Sequence, residues 1–423
     1  MPTTPELGTI STVSNELEFF LTGTTAPAVL HENTQRGNPL ELTGEVNPLD
    51  ALEMMVSMSA TIEALNHGVG ASIAYLHSLV ESLGGQMYAG SAFLGDVSQR
   101  EPQWYRTTSL SRTLGEGFLS IGSQQLVLGI AREGAGTEES GENFGFALYN
   151  FLRSLSPIVL ALSASSPYSS QNGALVDTNQ ESFRPGRYAQ MSQYLPQRMF
   201  QTPVLHSLEE YFQHLQTVSD EVNVAIERGQ LDSVPQLQQH LPFTTLEPHQ
   251  IYSWVRIRPD HANADSVFSL EVRIADIAHR VETILALNAF IGGLAYYATD
   301  SGFDELRRIV APLQLDNRDT LNAALQKTAL QGLQTKFGPL GRGTSLATMA
   351  TKLTKLATQG LVQRGQSAHI LQQEMQYLLS HDSVPNQIRS AVHTADHPPT
   401  TSEVEQYYAQ LLTDSLHRTS QYR

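Results

Sequence analysis

The chain has 423 residues, 40% of them hydrophobic and 16% charged, with a formal net charge of −16 and no cysteine. That composition is globular and not disordered, and the length suits one large domain or two ordinary ones. It excludes disulfides, thiolate zinc and a cysteine nucleophile, and the acidic balance argues against nucleic acid, whose phosphates call for Lys and Arg. No apolar run reaches the roughly 18 to 20 residues of a membrane helix, and the start "MPTTPELGTI" lacks the basic and apolar regions of a signal peptide. A cytoplasmic protein with no membrane partner is the expectation.

In chain order, "NELEFFL" (Asn15 to Leu21) alternates as a strand does, with Glu16 and Glu18 on one face and Leu17 and Phe19 on the other. "PLELTG" places Glu41 between Leu40 and Leu42. Asn47 followed by Pro48 has the chemistry of a helix start, and the pattern predicts one helix from there to Gly84-Gly85. "QQLVLGI" (Gln124 to Ile130) predicts a strand with Gln125, Val127 and Gly129 on one face. Glu142 to Tyr168 reads as an apolar helix kinked at Pro157. The polar stretch Ser169 to Gln201 reads as a long loop over a site, ordered or acting as a lid. "SWVRIRPD" predicts a strand with Trp254, Arg256 and Arg258 on one side. In "SLEVRIADI" (Ser269 to Ile277), Glu271 and Arg273 share one face while Leu270, Val272 and Ile274 share the other. Beyond Asp276 the chain reads as helical to its end, with "TADHPPTT" setting off a last short helix. No internal repeat is visible.

Several strands therefore share one design, apolar on one side and charged on the other. One such strand is most simply a solvated sheet face. Four or five on a sheet backed by helices would present their charges to a single concave space. Clustered carboxylates repel unless cations sit among them, and all-oxygen ligands suit Mg²⁺ or Mn²⁺ rather than zinc. Arginines in the same space suit a phosphate or a substrate carboxylate, which they grip in a planar fork.

Three other constellations carry less. His206, Glu210 and His214 fall on one helix face, but without HExxH they read as ordinary helix residues. "GPLGRGTS" (Gly338 to Ser345) resembles a phosphate-binding loop but lacks its lysine and a preceding strand. "SASSP", with Ser163, Ser165 and Ser166, is not GxSxG and reads as a structural helix end.

The segments "NELEFFL", "LELTGEVNPLDALE", "PIVLALSASSPY", "ESFRPGR" and "SLEVRIADIAHRVETILALNAFIGGLAYY" together resemble the glutamate–cysteine ligases. The likeness is closer to the plant and proteobacterial type than to the carboxylate–amine branch, and covers roughly residues 10 to 300. It implies an α+β fold related to glutamine synthetase: a curved antiparallel sheet forming a funnel, backed by helices. A catalytic domain over 1–300 would carry a helical region, 301–423, packed on it. The resemblance also implies an ATP- and Mg²⁺-dependent reaction that phosphorylates the γ-carboxylate of glutamate and lets an amine, cysteine's, displace the phosphate. By this likeness Glu16 and Glu18 match a metal-binding "ExE" pair, and Glu41 and Glu271 are further metal ligands. Arg273 would face the transferred phosphoryl group, and Arg184, Gln125, Arg256 and Arg258 would bind substrate or ATP. The chain departs from the carboxylate–amine branch where "QLVLG" replaces "HVHVG". Lys327 stands loosely near an arginine of that branch, and residues 169–181 and those beyond 300 match poorly. A different amine acceptor, or a catalytically silent binding subunit, stay open beside the cysteine ligase.

Overall fold

The protein is described by a computed structural model covering residues 10–44, 51–90, 92, 94, 122–131, 138–171, 174–186, 202–227, 253–259, 266–315, 318–338, 343–393 and 397–419. The expectations for the extreme N-terminus, for Asn47-Pro48 and for the tip of the glycine-rich loop lie outside those residues, as does much of Ser169 to Gln201.

The first strand, β1 (Ile10–Thr22), is followed by helix α1 (Ala26–Gln35) and strands β2 (Glu41–Gly44) and β3 (Ala51–Ser59). The sequence expectation of a helix through residues 51–59 is wrong. "ALEMMVSMS" is a strand paired antiparallel to β1, with Leu17 opposite Met54 and Phe19 opposite Leu52. Its Leu, Met and Glu are good helix formers, but the pairing buries Leu52, Met54 and Val56, and that tertiary gain overrides local propensity. Helix α2 (Ile62–Ser82) starts instead at Thr61, whose side chain accepts from Ala64 N. It stops where predicted, with Gly84 at φ +74°.

Strands β4 (Gln86–Tyr88) and β5 (Ser123–Ala131) come next, then helix α3 (Glu138–Ser163). Pro157 lies inside α3, which ends at Ser163 and not at Tyr168. Tyr168 instead opens a hairpin, β6 (Tyr168–Gln171) and β7 (Ala174–Asp177). The hairpin is tied down: Arg389 Nε lies 3.0 Å from Asp177 Oδ2, and Arg389 Nη2 donates to the Gln180 carbonyl at 2.7 Å. Helix α4 (Leu208–Glu227) leads to strands β8 (Val255–Arg258) and β9 (Ser266–Asp276).

The remaining chain is helical: α5 (Val281–Ser301), α6 (Asp304–Val310) and α7 (Arg318–Gln331), then α8 (Leu346–Gln363), α9 (His369–Ser380), α10 (Val384–Val392) and α11 (Thr401–Thr419). Between α7 and α8 lies a small antiparallel pair, β10 (Lys336–Phe337) with β11 (Thr344–Ser345).

Among the described residues the main sheet has seven strands in the order β2-β3-β1-β5-β9-β8, with β4 alongside β1, and every pair is antiparallel. One side of it carries Leu17, Phe19, Met54, Leu126, Leu128, Leu270, Val272 and Ile257, which join the helices in one hydrophobic core. That core runs on into α8, α9 and α11 without a seam near residue 300. Helix α5 is its axis, buried from Val281 to Thr299. It meets α8 backbone to backbone at Gly293 and Gly360: a Cβ on Gly293 would lie 2.5 Å from the Ala357 carbonyl oxygen. Two helices, Gly141–Ser163 and Val281–Ser301, are long and apolar enough to cross a membrane, contrary to expectation, but 83% and 100% of their apolar windows are buried within the protein.

The other side of the sheet is mostly polar, with Met55 and Val127 among its charged residues, and turns apolar at one end. There Phe20, Ala51 and Tyr88 form a separate apolar cluster with Tyr168 of β6, Ile388 and Val392 of α10, and Val404 and Tyr408 of α11. The last two helices thus close one end of the polar face.

Candidate active site

Residues paired directly across antiparallel strands share a face, so the register defines the site. One row crosses Glu41, Met55, Glu16 and Gln125; a second pairs Glu53 with Glu18; a third joins Ser14, Val127, Glu271 and Arg256. Every charged residue that sequence alternation placed on these strands lies on this one face.

A bulge shapes its centre. Between β5 and β9, Gln124 pairs with Ala275 and Leu126 with Val272, so Arg273 and Ile274 together stand opposite Gln125. Ile274 is fully buried. Arg273 turns to the polar face, where its Nε donates to Gln125 Oε1 at 3.2 Å.

Glu271 is the pivot, with no exposed surface. Its Oε2 accepts from Arg256 Nε at 2.8 Å, Arg256 Nη2 at 2.5 Å and Arg258 Nη1 at 3.2 Å. Arg273 Nε lies 3.0 Å from Oε1 as an ion pair without hydrogen-bond alignment, its proton directed to Gln125. Burial opposes the charge on Glu271, but Arg273, Arg256 and Arg258 together outweigh it and hold the carboxyl below its ordinary value. Arg256 shifts down as well, through burial and the like charge of Arg273. Three guanidiniums around one carboxylate leave net positive charge at this end of the face.

The other end is negative. Glu18 is buried and accepts from Ser123 N at 2.7 Å and Gln125 Nε2 at 3.1 Å. Gln125 therefore bridges the acidic and basic halves, its amide N–H on Glu18 and its oxygen on Arg273. Glu16, 8% exposed, is raised above its ordinary value by burial and then by the charge of Glu271, against the pull of Arg258, Arg256 and Arg273.

Two expected residues stand apart. Glu41 is exposed on β2, on the same row as Glu16 but with Met55 between them, about 10 Å away at the usual strand spacing. Arg184 is buried, and its Nη1 donates to the main-chain carbonyls of Arg273 at 3.0 Å and Ala275 at 2.8 Å, so it clamps the bulged strand from beside the site. Sequence reading missed Glu53, which lies opposite Glu18 and whose Oε2 accepts from Thr43 Oγ1 at 3.3 Å. The signal was present in the alternation Ala51, Glu53, Met55 but was hidden by the helix assignment.

The weaker constellations have structural explanations. Glu210 Oε2 accepts from the His206 main-chain N at 2.7 Å as a helix-start contact. Ser345 caps α8, with the short strand Lys336–Phe337 paired to it, and Lys327 Nζ donates to the Lys336 carbonyl at 2.7 Å. Ser163 Oγ accepts from Asp276 N at 3.1 Å, and Ser165 Oγ donates to the Ile277 carbonyl at 3.0 Å.

The chain that builds this face, with three arginines on a buried glutamate next to two further carboxylates, also matches a known family. The model of glutamate-cysteine ligase family 2 matches residues 16–336, from the first glutamate of the face to beyond its last arginine. The chain belongs to that family. It is accordingly an enzyme, an ATP-dependent ligase.

Among solved structures, the glutamate–cysteine ligase of Francisella tularensis in complex with AMP is similar in fold, with a TM-score of 0.60 at 12% identity over 98% of this chain and 90% of that one. A bifunctional glutathione synthetase from Pasteurella multocida has a TM-score of 0.59 at 16% identity, over 98% of this chain and 53% of that chain. The ligase thus spans about half the length of the Pasteurella protein. No curated protein sequence matches it.

Among the described residues no three His, Asp or Glu side chains form a ready-made metal site. The acidic half still suits Mg²⁺ or Mn²⁺. Mg²⁺ is commonly held by one or two carboxylates with substrate phosphates and water. Glu16 offers such a carboxylate: it is nearly buried, makes no hydrogen bond to the described residues and has a proton affinity raised by burial.

Proposed function

We propose that this ligase phosphorylates the γ-carboxylate of L-glutamate with ATP and then joins it to the amine of L-cysteine. The observation that carries the reading is the arrangement of charge: an arginine cage on Glu271 and the acidic pair Glu16 and Glu18, bridged by Gln125, on one sheet face.

In the first step a γ-carboxylate oxygen of glutamate attacks the γ-phosphorus, and the bond to the β-phosphate oxygen breaks to release ADP. In the second the amine attacks the acyl carbon, phosphate leaves with the C–O bond electrons, and the amine loses a proton. Phosphoryl transfer needs little covalent help and much charge neutralisation. Arg273, Arg256 and Arg258 supply it to the phosphate oxygens. A triphosphate competes with Glu271 for these guanidiniums, and drawing one away frees a Glu271 oxygen to act as the metal ligand that the family likeness implies. Glu16 and Glu18, with Glu53 opposite Glu18, would hold Mg²⁺ or Mn²⁺, which would supply further charge neutralisation to the phosphates. Glu41 joins only through a longer reach, and Arg184 acts by fixing β9. A cytoplasmic setting and small-molecule partners belong to the same reading.

The test is phosphate release from ATP and Mg²⁺ with L-glutamate, against a panel of amines including L-cysteine. Release that rises with cysteine, with the γ-glutamyl dipeptide confirmed by mass, supports the proposal. Release with another amine alone moves the acceptor and keeps the mechanism. Folded protein that releases none with any amine overturns the reading in favour of a silent binding subunit.

A further inference from the structure

Directly behind the polar face, three amides are buried in the hydrophobic core. Asn15 of β1 is 1% exposed, Gln124 of β5 2% and Asn288 of α5 0%. Asn288 Oδ1 accepts from Gln124 Nε2 at 2.8 Å and from Asn15 Nδ2 at 3.3 Å, and its Nδ2 donates to Asn66 Oδ1 of α2 at 3.1 Å. Asn66 is held in turn by the Leu285 carbonyl at 3.0 Å. Asn15 Nδ2 also donates to the main-chain carbonyl of Gln125 at 2.7 Å, the residue that faces the β9 bulge.

Stability alone does not account for this cluster. The Asn15 Oδ1 and Gln124 Oε1 oxygens are buried without a hydrogen-bond partner, and unsatisfied buried polar atoms cost free energy that leucines in their place would not. What the cluster supplies is register. Strand ladders are irregular on both sides of it, between Val13 and Asn15 where β1 meets β3, and between Gln124 and Leu126 where β5 meets β9. A slip of one residue in β1 would turn Glu16 and Glu18 into the core and bring Leu17 to the polar face. Asn15 and Gln124 are the chain neighbours of Glu16 and Gln125, so fixing the first pair fixes the second.

We propose that Asn288 is a positioning residue: through Asn15 and Gln124 it sets the register of β1 against β5 and so holds Glu16 opposite Gln125 on the active face. Buried polar groups that specify register at some cost in stability are known devices. The effect on turnover rests on the ligase reading; the effect on the strands does not.

The experiment replaces the three buried amides at once, Asn15→Leu with Gln124→Met and Asn288→Leu, so that none of the three is stranded; of their partners, Asn66 at the half-buried end and the Gln125 and Ile284 carbonyls lose a donor. The triple variant is expected to melt at or above the wild-type temperature, while backbone amides of β1 and β5 exchange with deuterium at least tenfold faster than in wild type. The Mg²⁺ concentration for half-maximal phosphate release is expected to rise at least tenfold. Wild-type exchange in β1 and β5 of the folded triple variant overturns the proposal. If wild type itself releases no phosphate, the ligase reading fails and the exchange comparison still decides this one. Should the triple variant not fold, Asn66→Ala at the half-buried outer end carries the same comparison, with faster exchange in β1 and β5 expected and unchanged exchange overturning the proposal.

Discussion

Arg256 reaches a single oxygen of Glu271 with two of its nitrogens, Nε at 2.8 Å and Nη2 at 2.5 Å, and leaves the other oxygen to Arg273. One wholly buried carboxylate thus sets the direction of more than one guanidinium. The arginines are 13% and 22% exposed at their side chains, so they turn outward more easily than Glu271 can. On the proposed reading, a wholly buried anion with more exposed cations around it would make the basic half of the face an exchangeable holder of phosphate.

Glu271→Gln tests that pivot. The amide keeps the shape but loses the charge, and three neighbouring guanidiniums then repel one another. Turnover is expected to fall by roughly 10²–10³-fold or more, the range for losing one preorganised electrostatic contact. Near-normal phosphate release from the variant would remove Glu271 from the active site.

Arg273→Lys is expected to fail in the same assay. The contacts of Arg273 with both Gln125 and Glu271 run through Nε, an atom lysine lacks. A lysine variant with wild-type kcat and KM for ATP would sink the assignment.

Glu16→Gln predicts a pH-dependent crossing. The carboxyl of Glu16 is raised on folding, so its contribution to stability is present below the unfolded value and lost as pH rises through the folded one. Glu271, shifted down, is the reverse: its contribution is present at neutral pH and lost as pH falls through its folded value. At pH 7 without divalent cations, Glu16→Gln should therefore melt above wild type, and the gap should close as acid protonates Glu16. Mg²⁺ should raise the melting temperature of wild type and not of the variant. A variant that melts below wild type at pH 7 in the absence of cations would refute the argument.

Gly360→Ala is expected to destabilise the protein by about 1–3 kcal/mol or more, the usual cost of overpacking. A Cβ there would clash with the Gly293 carbonyl and lie 2.6 Å from Tyr297 N, both main-chain atoms that cannot turn aside. Thermal melts decide it, and an unchanged melting temperature would mean that α5 and α8 can move apart freely.

How much of this was legible depended on which interactions act locally. Strands β1, β5 and β9 announced themselves by alternation, because each has one largely apolar face, and Glu16, Glu18, Gln125, Glu271 and Arg273 came with them. Strand β3 did not: a run of Leu, Met and Glu has no local reason to be extended, and only pairing with β1 makes it so. Glu53 was lost with it. Nor could spacing show that Arg256, Arg258 and Arg273 converge on one carboxylate, since that depends on the β8–β9 register and on a bulge. Arg184 illustrates the converse. The family likeness put it among the substrate- or ATP-binding residues, whereas its Nη1 donates to backbone carbonyls of β9 beside the candidate site.

The apolar end of the active face has a consequence for synthesis. Phe20, Ala51 and Tyr88 are translated early, but the side chains that cover them, Ile388, Val392, Val404 and Tyr408, leave the ribosome after every strand of the sheet. Until then a greasy strip lies beside a row of carboxylates, with nothing local to cover it. A nascent chain halted before residue 384 has every strand of the main sheet but none of these four side chains, the kind of intermediate that aggregates or recruits chaperones. The apolar end of the polar face therefore closes only once α10 and α11 have been made, well after the last strand of the main sheet.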